Sequence, residues 1–337
     1  MQGYRVKKIK LPRVADKADG LPRYCELLGN QMVLSDYGYG LIALTCCYNE
    51  GQGFQSSGDF GQDFQTWRSM TERMSDDLKR GLSSTCLGCP ALKSGISPDK
   101  PKFREINIST GIPGGERCNL KCYYCIYHKN GVLREQKNNG GYNVLDVLNW
   151  IEQNIDSEPF HIDYAAGEIT ISPYCEKIIR LWKKSRWQGR ILSNCTIYNQ
   201  DVAELLRDRQ VVMNCSLDAG TAETYKRIKG ADCYERVFCT LKKYAATGAK
   251  IQLKYILLQG VNDNEIYVRC FCEIAGEVAS EVILSRDCND HSDGLTEREM
   301  EMVRLFISLC RDKDLPVSFV DANMDAKGLE FINTVLS

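Results

Sequence analysis

The hydrophobic pattern changes character near residue 100. Beyond it, short runs of β-branched and apolar residues alternate with longer stretches of helical period. Runs at 104–109, 160–164, 190–193, 211–217, 250–257 and 281–285 read as strands. Between them, 143–154, 173–186, 222–229, 234–247, 265–276 and 296–310 read as helices. In the first of these, Val144, Val147, Leu148 and Ile151 fall on one face. The last opens with a capping box, Thr296 and Glu299. A further short strand is expected at 316–320.

Strands that alternate with helices imply a parallel sheet with crossover helices. Six strand–helix units are too few for a closed eight-stranded barrel. The expected architecture is therefore α/β, an open six-stranded (βα)6 partial TIM barrel. Its ligand site is expected at the C-terminal ends of the strands.

Residues 1–100 read differently. They are rich in Gly, Ser and Asp, with a short strand at 41–45 and one helix around 64–82. The stretch 94–102 has the composition of a linker. The expected division is a small, cysteine-rich α+β domain over 1–100 and the barrel over 101–337.

Composition narrows the chemistry. The chain has 337 residues, and its 43 basic and 44 acidic residues nearly cancel to a net charge of −1. No basic excess exists to neutralise phosphates, which argues against nucleic acid as the main partner. Mean hydropathy is −0.33 and no run of 18 apolar residues occurs, which argues against a membrane span. The basic N-terminus has no apolar stretch behind it, so no secretory signal is read there. A cytoplasmic protein is expected.

Three histidines leave little scope for histidine chemistry, whereas 17 cysteines stand out. An odd number fits poorly with a disulfide framework, and the chain is too large to need one. Most of the scattered cysteines are expected in the core, where free cysteine packs as a small hydrophobe.

Cys118, Cys122 and Cys125 are different, because C-x3-C-x2-C puts three thiols on one loop directly after the first barrel strand. Three thiolates can hold three irons of a 4Fe-4S cube and leave the fourth open. Zinc ribbons instead pair C-x2-C units. The adjoining stretch 111–115 (GIPGG) is not a phosphate loop, since no Lys-Ser/Thr follows and Pro113 removes an amide donor.

With Tyr124 as the aromatic before the last cysteine, the motif resembles that of the radical S-adenosylmethionine (radical SAM) enzymes. The resemblance covers about two thirds of the chain. It implies that the three cysteines bind a 4Fe-4S cluster and that S-adenosylmethionine (SAM) chelates the open iron. Reductive cleavage of SAM would then give a 5′-deoxyadenosyl radical that abstracts hydrogen from a substrate. Ala166-Gly167-Glu168 resembles the family's GGE motif, with alanine in place of the first glycine, and is expected at the methionine amino group. Ser193-Asn194 resembles the polar pair near SAM. Ser216 and Asp218 are expected to share a strand face and to reach the ribose hydroxyls, and Tyr124 to pack near the adenine. A flavodoxin or ferredoxin is implied as electron donor.

Cys25, a turn, a strand ending in Cys46-Cys47, a helix and then Cys86-Leu87-Gly88-Cys89 resemble in order the SPASM and twitch domains. Those domains carry auxiliary 4Fe-4S clusters, but normally follow the core rather than precede it. Cys25, Cys86, Cys89 and one of Cys46 or Cys47 would be the ligands. Adjacent strand residues point to opposite faces, and Cys46 is preferred. Structural zinc and free thiols are the competing readings. The implied substrate is a peptide or protein undergoing maturation, with a carbohydrate-type small molecule as the alternative. From another class, a non-catalytic iron–sulfur or zinc protein would need the cysteines but not the SAM motifs.

Overall fold

A computed structural model of the protein describes residues 21–36, 41–45, 53–82, 86, 89, 92–96, 100–109, 111–115, 117–125, 128–129, 132–133, 141–156, 159–287, 294–320 and 326–336. Strands β1 (Arg23–Cys25), β2 (Gln31–Asp36), β3 (Leu41–Leu44) and β4 (Gly53–Gln55) precede helix α1 (Phe60–Lys79). Strands β5 (Leu92–Ser94) and β6 (Glu105–Ile108) follow, then a small ribbon of β7 (His128–Lys129) and β8 (Val132–Leu133), then α2 (Val144–Asn154). Alternation begins there with β9 (His161–Tyr164), α3 (Cys175–Ser185), β10 (Gln188–Leu192), α4 (Gln200–Arg207) and β11 (Val211–Ser216). It continues through α5 (Ala222–Lys229), α6 (Tyr234–Ala245), β12 (Ile251–Leu257), α7 (Glu265–Val278) and β13 (Glu281–Arg286). Helix α8 (Glu297–Arg311), β14 (Val317–Val320) and α9 (Ala326–Leu336) complete the chain.

The main sheet has ten strands in the order β14-β13-β12-β11-β10-β9-β6-β2-β3-β4. The six expected barrel strands lie together, each parallel to its neighbours. The sheet is open, so the fold is α/β with a partial-barrel sheet. β14 extends it in parallel beyond β13.

Local chemistry explains the elements. Asn143 caps α2 in a reciprocal capping box with Asp146, and Thr296 and Glu299 do the same for α8. Apolar strand residues such as Tyr255 sink into the helix layer, where its ring meets Phe271 of α7 and Phe306 of α8. Helices α4 and α9 are additions to the sequence expectation.

The expected boundary at residue 100 does not fall at a break in the sheet. β2 pairs in parallel with β6, and β3 and β4 continue antiparallel. The apolar face of α1 also belongs to the main core. Phe64 and Trp67 pack on Phe103, and Phe64 packs on Trp150 of α2. Of the strands before residue 100, β1 and β5 stand apart as an antiparallel pair, over a small cluster of Leu28, Leu78 and Cys86. Among the described residues no helix is long and apolar enough to cross a membrane.

Candidate metal centre and cofactor site

The loop that follows β6 carries Cys118, Cys122 and Cys125, and it sits at the C-terminal ends of the strands. It is fastened on two sides.

One side meets the ends of β9 and β10. The Glu168 N–H donates to the Arg117 carbonyl at 2.7 Å. Asn194 Nδ2 donates to Asn119 Oδ1 at 2.8 Å and reaches Cys118 Sγ at 3.7 Å. Asn119 Nδ2 in turn donates to Thr196 Oγ1 at 2.8 Å. Close approach is needed here: a Cβ on Gly115 would lie 2.8 Å from Cβ of Ala166. The alanine that replaces the family's glycine is therefore accommodated by a glycine opposite.

The other side meets α5. The Lys121 and Tyr123 N–H groups donate to the carbonyls of Lys229 and Ile228, at 3.0 and 3.1 Å. Gly230 ends the helix at φ +66°, and a Cβ there would lie 2.9 Å from the Lys121 carbonyl oxygen. Beneath this contact Lys229 is paired with Asp218, both side chains almost wholly buried. The Tyr124 hydroxyl donates to Asp218 Oδ2 at 2.5 Å, and Lys229 Nζ donates to the Tyr124 oxygen at 2.6 Å. Burial, reinforced by Asp218, raises the Tyr124 hydroxyl well above its ordinary value. Asp218 Oδ1 accepts from the Ile256 N–H at 2.8 Å, and Asn262 Nδ2 bridges the carbonyls of Asp218 and Ile256 at 2.9 Å each. A buried charge pair of this kind adds little over apolar packing, but loss of one partner strands the other.

The thiols fit a cluster. All three are half-buried, and Cys118 and Cys122 pack against the main core. Burial pushes the Cys122 thiol up to about 11 against the pull of Lys229, and it raises Cys118 as well. Cys118 and Cys125 are close enough that their charges add to the rise at Cys122. Three thiols on one short loop are a donor set that a 4Fe-4S cluster with one open iron can use.

The expected SAM residues divide. Ala166, Glu168 and Asn194 adjoin one flank of the cysteine loop, with Gly167 between the first two in sequence. The Glu168 carboxylate, however, faces inward and is occupied. It accepts from Ser193 Oγ at 3.0 Å, the Asn194 N–H at 2.6 Å, and Thr170 Oγ1 and N–H at 2.7 and 3.1 Å. Burial raises its pKa and these donors oppose the rise. Glu168 thus shapes the turn through its carboxylate, and what it turns to the cysteine loop is backbone.

Ser216 and Asp218 do not share a face. β11 ends at Ser216, so alternation stops before Asp218, whose φ of 57° is left-handed and which caps Lys229 instead. Sequence reasoning missed Lys229, Thr170, Thr196 and Asn262. Lys229 reads as an ordinary basic residue in the last turn of a helix. Asn262 falls between an expected strand and an expected helix, where an asparagine reads as an ordinary turn residue.

Of the N-terminal cysteines, Cys25 ends β1 opposite Leu92. Cys25 packs against the small cluster of Leu28, Leu78 and Cys86. The Cys89 N–H donates to the Cys86 carbonyl at 2.9 Å, a tight turn that keeps the C-x2-C pair together. Cys46 and Cys47 lie outside the described residues.

Residues 112–268 match the Radical SAM superfamily. The chain is 25% identical over 223 residues to a GTP 3′,8-cyclase of Aliarcobacter butzleri, covering 61% of this chain and 66% of that protein. It is 24% identical over 164 residues to a cysteine-type anaerobic sulfatase-maturating enzyme of Clostridium perfringens, covering 45% and 43%. The chain thus spans less than two thirds of either relative. Among solved structures it is similar to Streptococcus suis SuiB bound to S-adenosylmethionine, at 13% identity and a TM-score of 0.46 over 88% of this chain and 72% of that one.

Proposed function

We propose, from the premise that this chain carries a radical SAM domain over residues 112–268, that it is an enzyme which initiates a radical reaction on a peptide or protein side chain. Cys118, Cys122 and Cys125 hold the 4Fe-4S cluster, and SAM takes the open iron. When bound, that pair supplies one-electron cleavage of the sulfonium and a 5′-deoxyadenosyl radical that removes a hydrogen atom from the substrate.

The observation that carries this reading is the double fastening of the cysteine loop. Glu168, Ser193 and Asn194 fix one flank; Tyr124, Asp218 and Lys229 fix the other. A site that only stores metal has no need of so much buried polar support at successive strand ends. Asn194 donates a hydrogen bond to a ligating sulfur, which favours electron density on it and tunes the cluster's potential. Tyr124, with its hydroxyl tied to Asp218 and Lys229, fixes the loop between Cys122 and Cys125. Ser216 and Ala166-Gly167 line the remaining approach to SAM. A flavodoxin or ferredoxin supplies the electron.

Cys25, Cys86 and Cys89, completed by Cys46 or Cys47, hold a second 4Fe-4S cluster. The packing of Cys25 on the cluster that contains Cys86 and the turn linking Cys86 to Cys89 support this set. With four thiolates no iron is left open, so this cluster carries electrons or supports structure.

Peptide maturation fits the likeness to the sulfatase-maturating enzyme. The likeness to GTP 3′,8-cyclases favours a small-molecule substrate as the second reading. The test is anaerobic reconstitution followed by dithionite and SAM, with iron, zinc and 5′-deoxyadenosine quantified on one sample. About eight irons with 5′-deoxyadenosine are expected if both sites hold 4Fe-4S. Bound iron without 5′-deoxyadenosine under any reductant contradicts the enzyme reading.

A further inference from the structure

One face of the central strands turns away from the helices that cover Tyr255. On it, polar side chains stand in rows set by strand register. Toward the N-terminal ends of the strands most of these groups pair with one another, with Gln31 Oε1 left over. Gln31 donates to Glu105. Asn107 and Arg190 both donate to Asp163, Asn107 Nδ2 at 3.1 Å and Arg190 Nε at 2.9 Å. Gln252 Nε2 and Ser318 Oγ donate to Glu281, at 2.8 and 2.6 Å.

Toward the cysteine loop the pattern inverts. Ser216 of β11 and Lys254 of β12 are register partners, and neither side chain has a hydrogen-bond or ion-pair partner among the described residues. Ser285 of β13 is in register with Ile256, two residues along from Lys254, and its hydroxyl is buried without a partner. One row back toward the N-terminal ends, in register with Gln252, Asn214 donates Nδ2 to Gln252 Oε1 at 3.3 Å and leaves its buried Oδ1 without a partner.

A buried polar group left unpaired is costly, so native proteins rarely keep one without a purpose. Here two stand on the strands that flank Lys254. The carboxylates of this face are all engaged by other donors, and nearby Asp218 is held by Lys229. What remains is a positive charge, two hydroxyl donors and one amide acceptor on adjacent strands. That set matches an anionic group carried on a molecule with a hydroxyl or N–H of its own.

We propose that Lys254, Ser285 and Asn214 form a subsite for an anionic group, a carboxylate or phosphate, of the substrate. This rests on the radical SAM reading for the reaction, but not for the binding. Lys254 Nζ pairs with the anion, Ser285 Oγ donates to it, and Asn214 Oδ1, four residues deeper in register than Ser285, accepts from a hydroxyl or N–H farther along the same ligand. Ser216 borders the subsite on the side expected for SAM.

SAM also carries a carboxylate, so the test separates the two sources. Inorganic pyrophosphate, succinate and SAM would each be titrated calorimetrically into the reconstituted holoprotein, as wild type, Lys254→Met, Lys254→Arg and Ser285→Ala. Binding of pyrophosphate or succinate should fall about tenfold or more in Lys254→Met. Lys254→Arg should retain it, which shows that charge rather than folding is read. Ser285→Ala should lose a few-fold, in keeping with one hydrogen bond. Equal binding of both anions by wild type and Lys254→Met, or no binding by wild type, overturns the proposal. An equal loss of SAM affinity in Lys254→Met assigns the anion to SAM and overturns the substrate assignment. Failure of the radical reading shows separately, as wild-type holoprotein that forms no 5′-deoxyadenosine from SAM.

Discussion

The two cysteine groups of this chain are built on different supports. The 118–125 loop leans on the main core and on side chains from four successive strand ends, nearly all of them buried and hydrogen-bonded. Cys25, Cys86 and Cys89 lean on a three-residue cluster and a short two-stranded ribbon. The difference teaches how each site is made. The protein fold alone organises the first, because its positioning groups are satisfied by one another before any cofactor arrives. The second has a small apolar cluster behind it among the described residues, so on the proposed reading metal binding contributes to its folding as well as occupying it.

Substitutions can break that comparison at either end. The largest effect is expected from Cys122→Ala. Loss of one of three ligands should abolish 5′-deoxyadenosine formation while the second cluster keeps about half of the iron. Detectable product from that variant breaks the assignment. Cys86→Ala combined with Cys89→Ala should remove the other half of the iron yet leave SAM cleavage without substrate in place. Unchanged iron content, measured against wild type, removes the N-terminal site from the account.

Lys229→Met sharpens the contrast without touching a thiol. It strands the buried Asp218 carboxylate, and urea denaturation should show a loss of about 3–5 kcal/mol. A surface pair such as Lys226–Asp232, broken by Asp232→Ala, should cost under about 1 kcal/mol in the same assay. Similar losses in the two variants mean that the α5 flank is not the anchor described. The smallest effect is expected from Asn194→Ala, which removes the donor to Cys118 Sγ. The cluster should remain, with its midpoint potential shifted downward in a redox titration. An unchanged potential leaves Asn194 a structural link only.

The strand–helix order was legible because each parallel strand needs an apolar face against helices, and that need writes a pattern. All six barrel strands follow from it, and the capping box expected at the start of α8 is present. Pairing partners were not legible. Nothing in the sequence of β2 says that it lies beside β6, and so the division at residue 100 was expected where the sheet runs through.

The thiols of the central motif could be picked out from spacing, since three cysteines on one loop have few other uses. Their supports could not. Asp218 was noticed, but its role was inverted, because one left-handed residue past a strand end redirects its side chain toward a lysine eleven positions on. Glu168 shows the same limit. A carboxylate in a known motif reads as a ligand contact, yet here Ser193, Asn194 and Thr170 occupy it.

The central claim is that SAM binds the cluster held by Cys118, Cys122 and Cys125. Its most direct test is low-temperature electron paramagnetic resonance of the dithionite-reduced Cys86→Ala/Cys89→Ala variant, recorded with and without SAM. That variant should carry a single reduced 4Fe-4S signal, and SAM should change its g-values as the open iron gains ligands. A signal of the same cluster left unaltered by saturating SAM contradicts the claim.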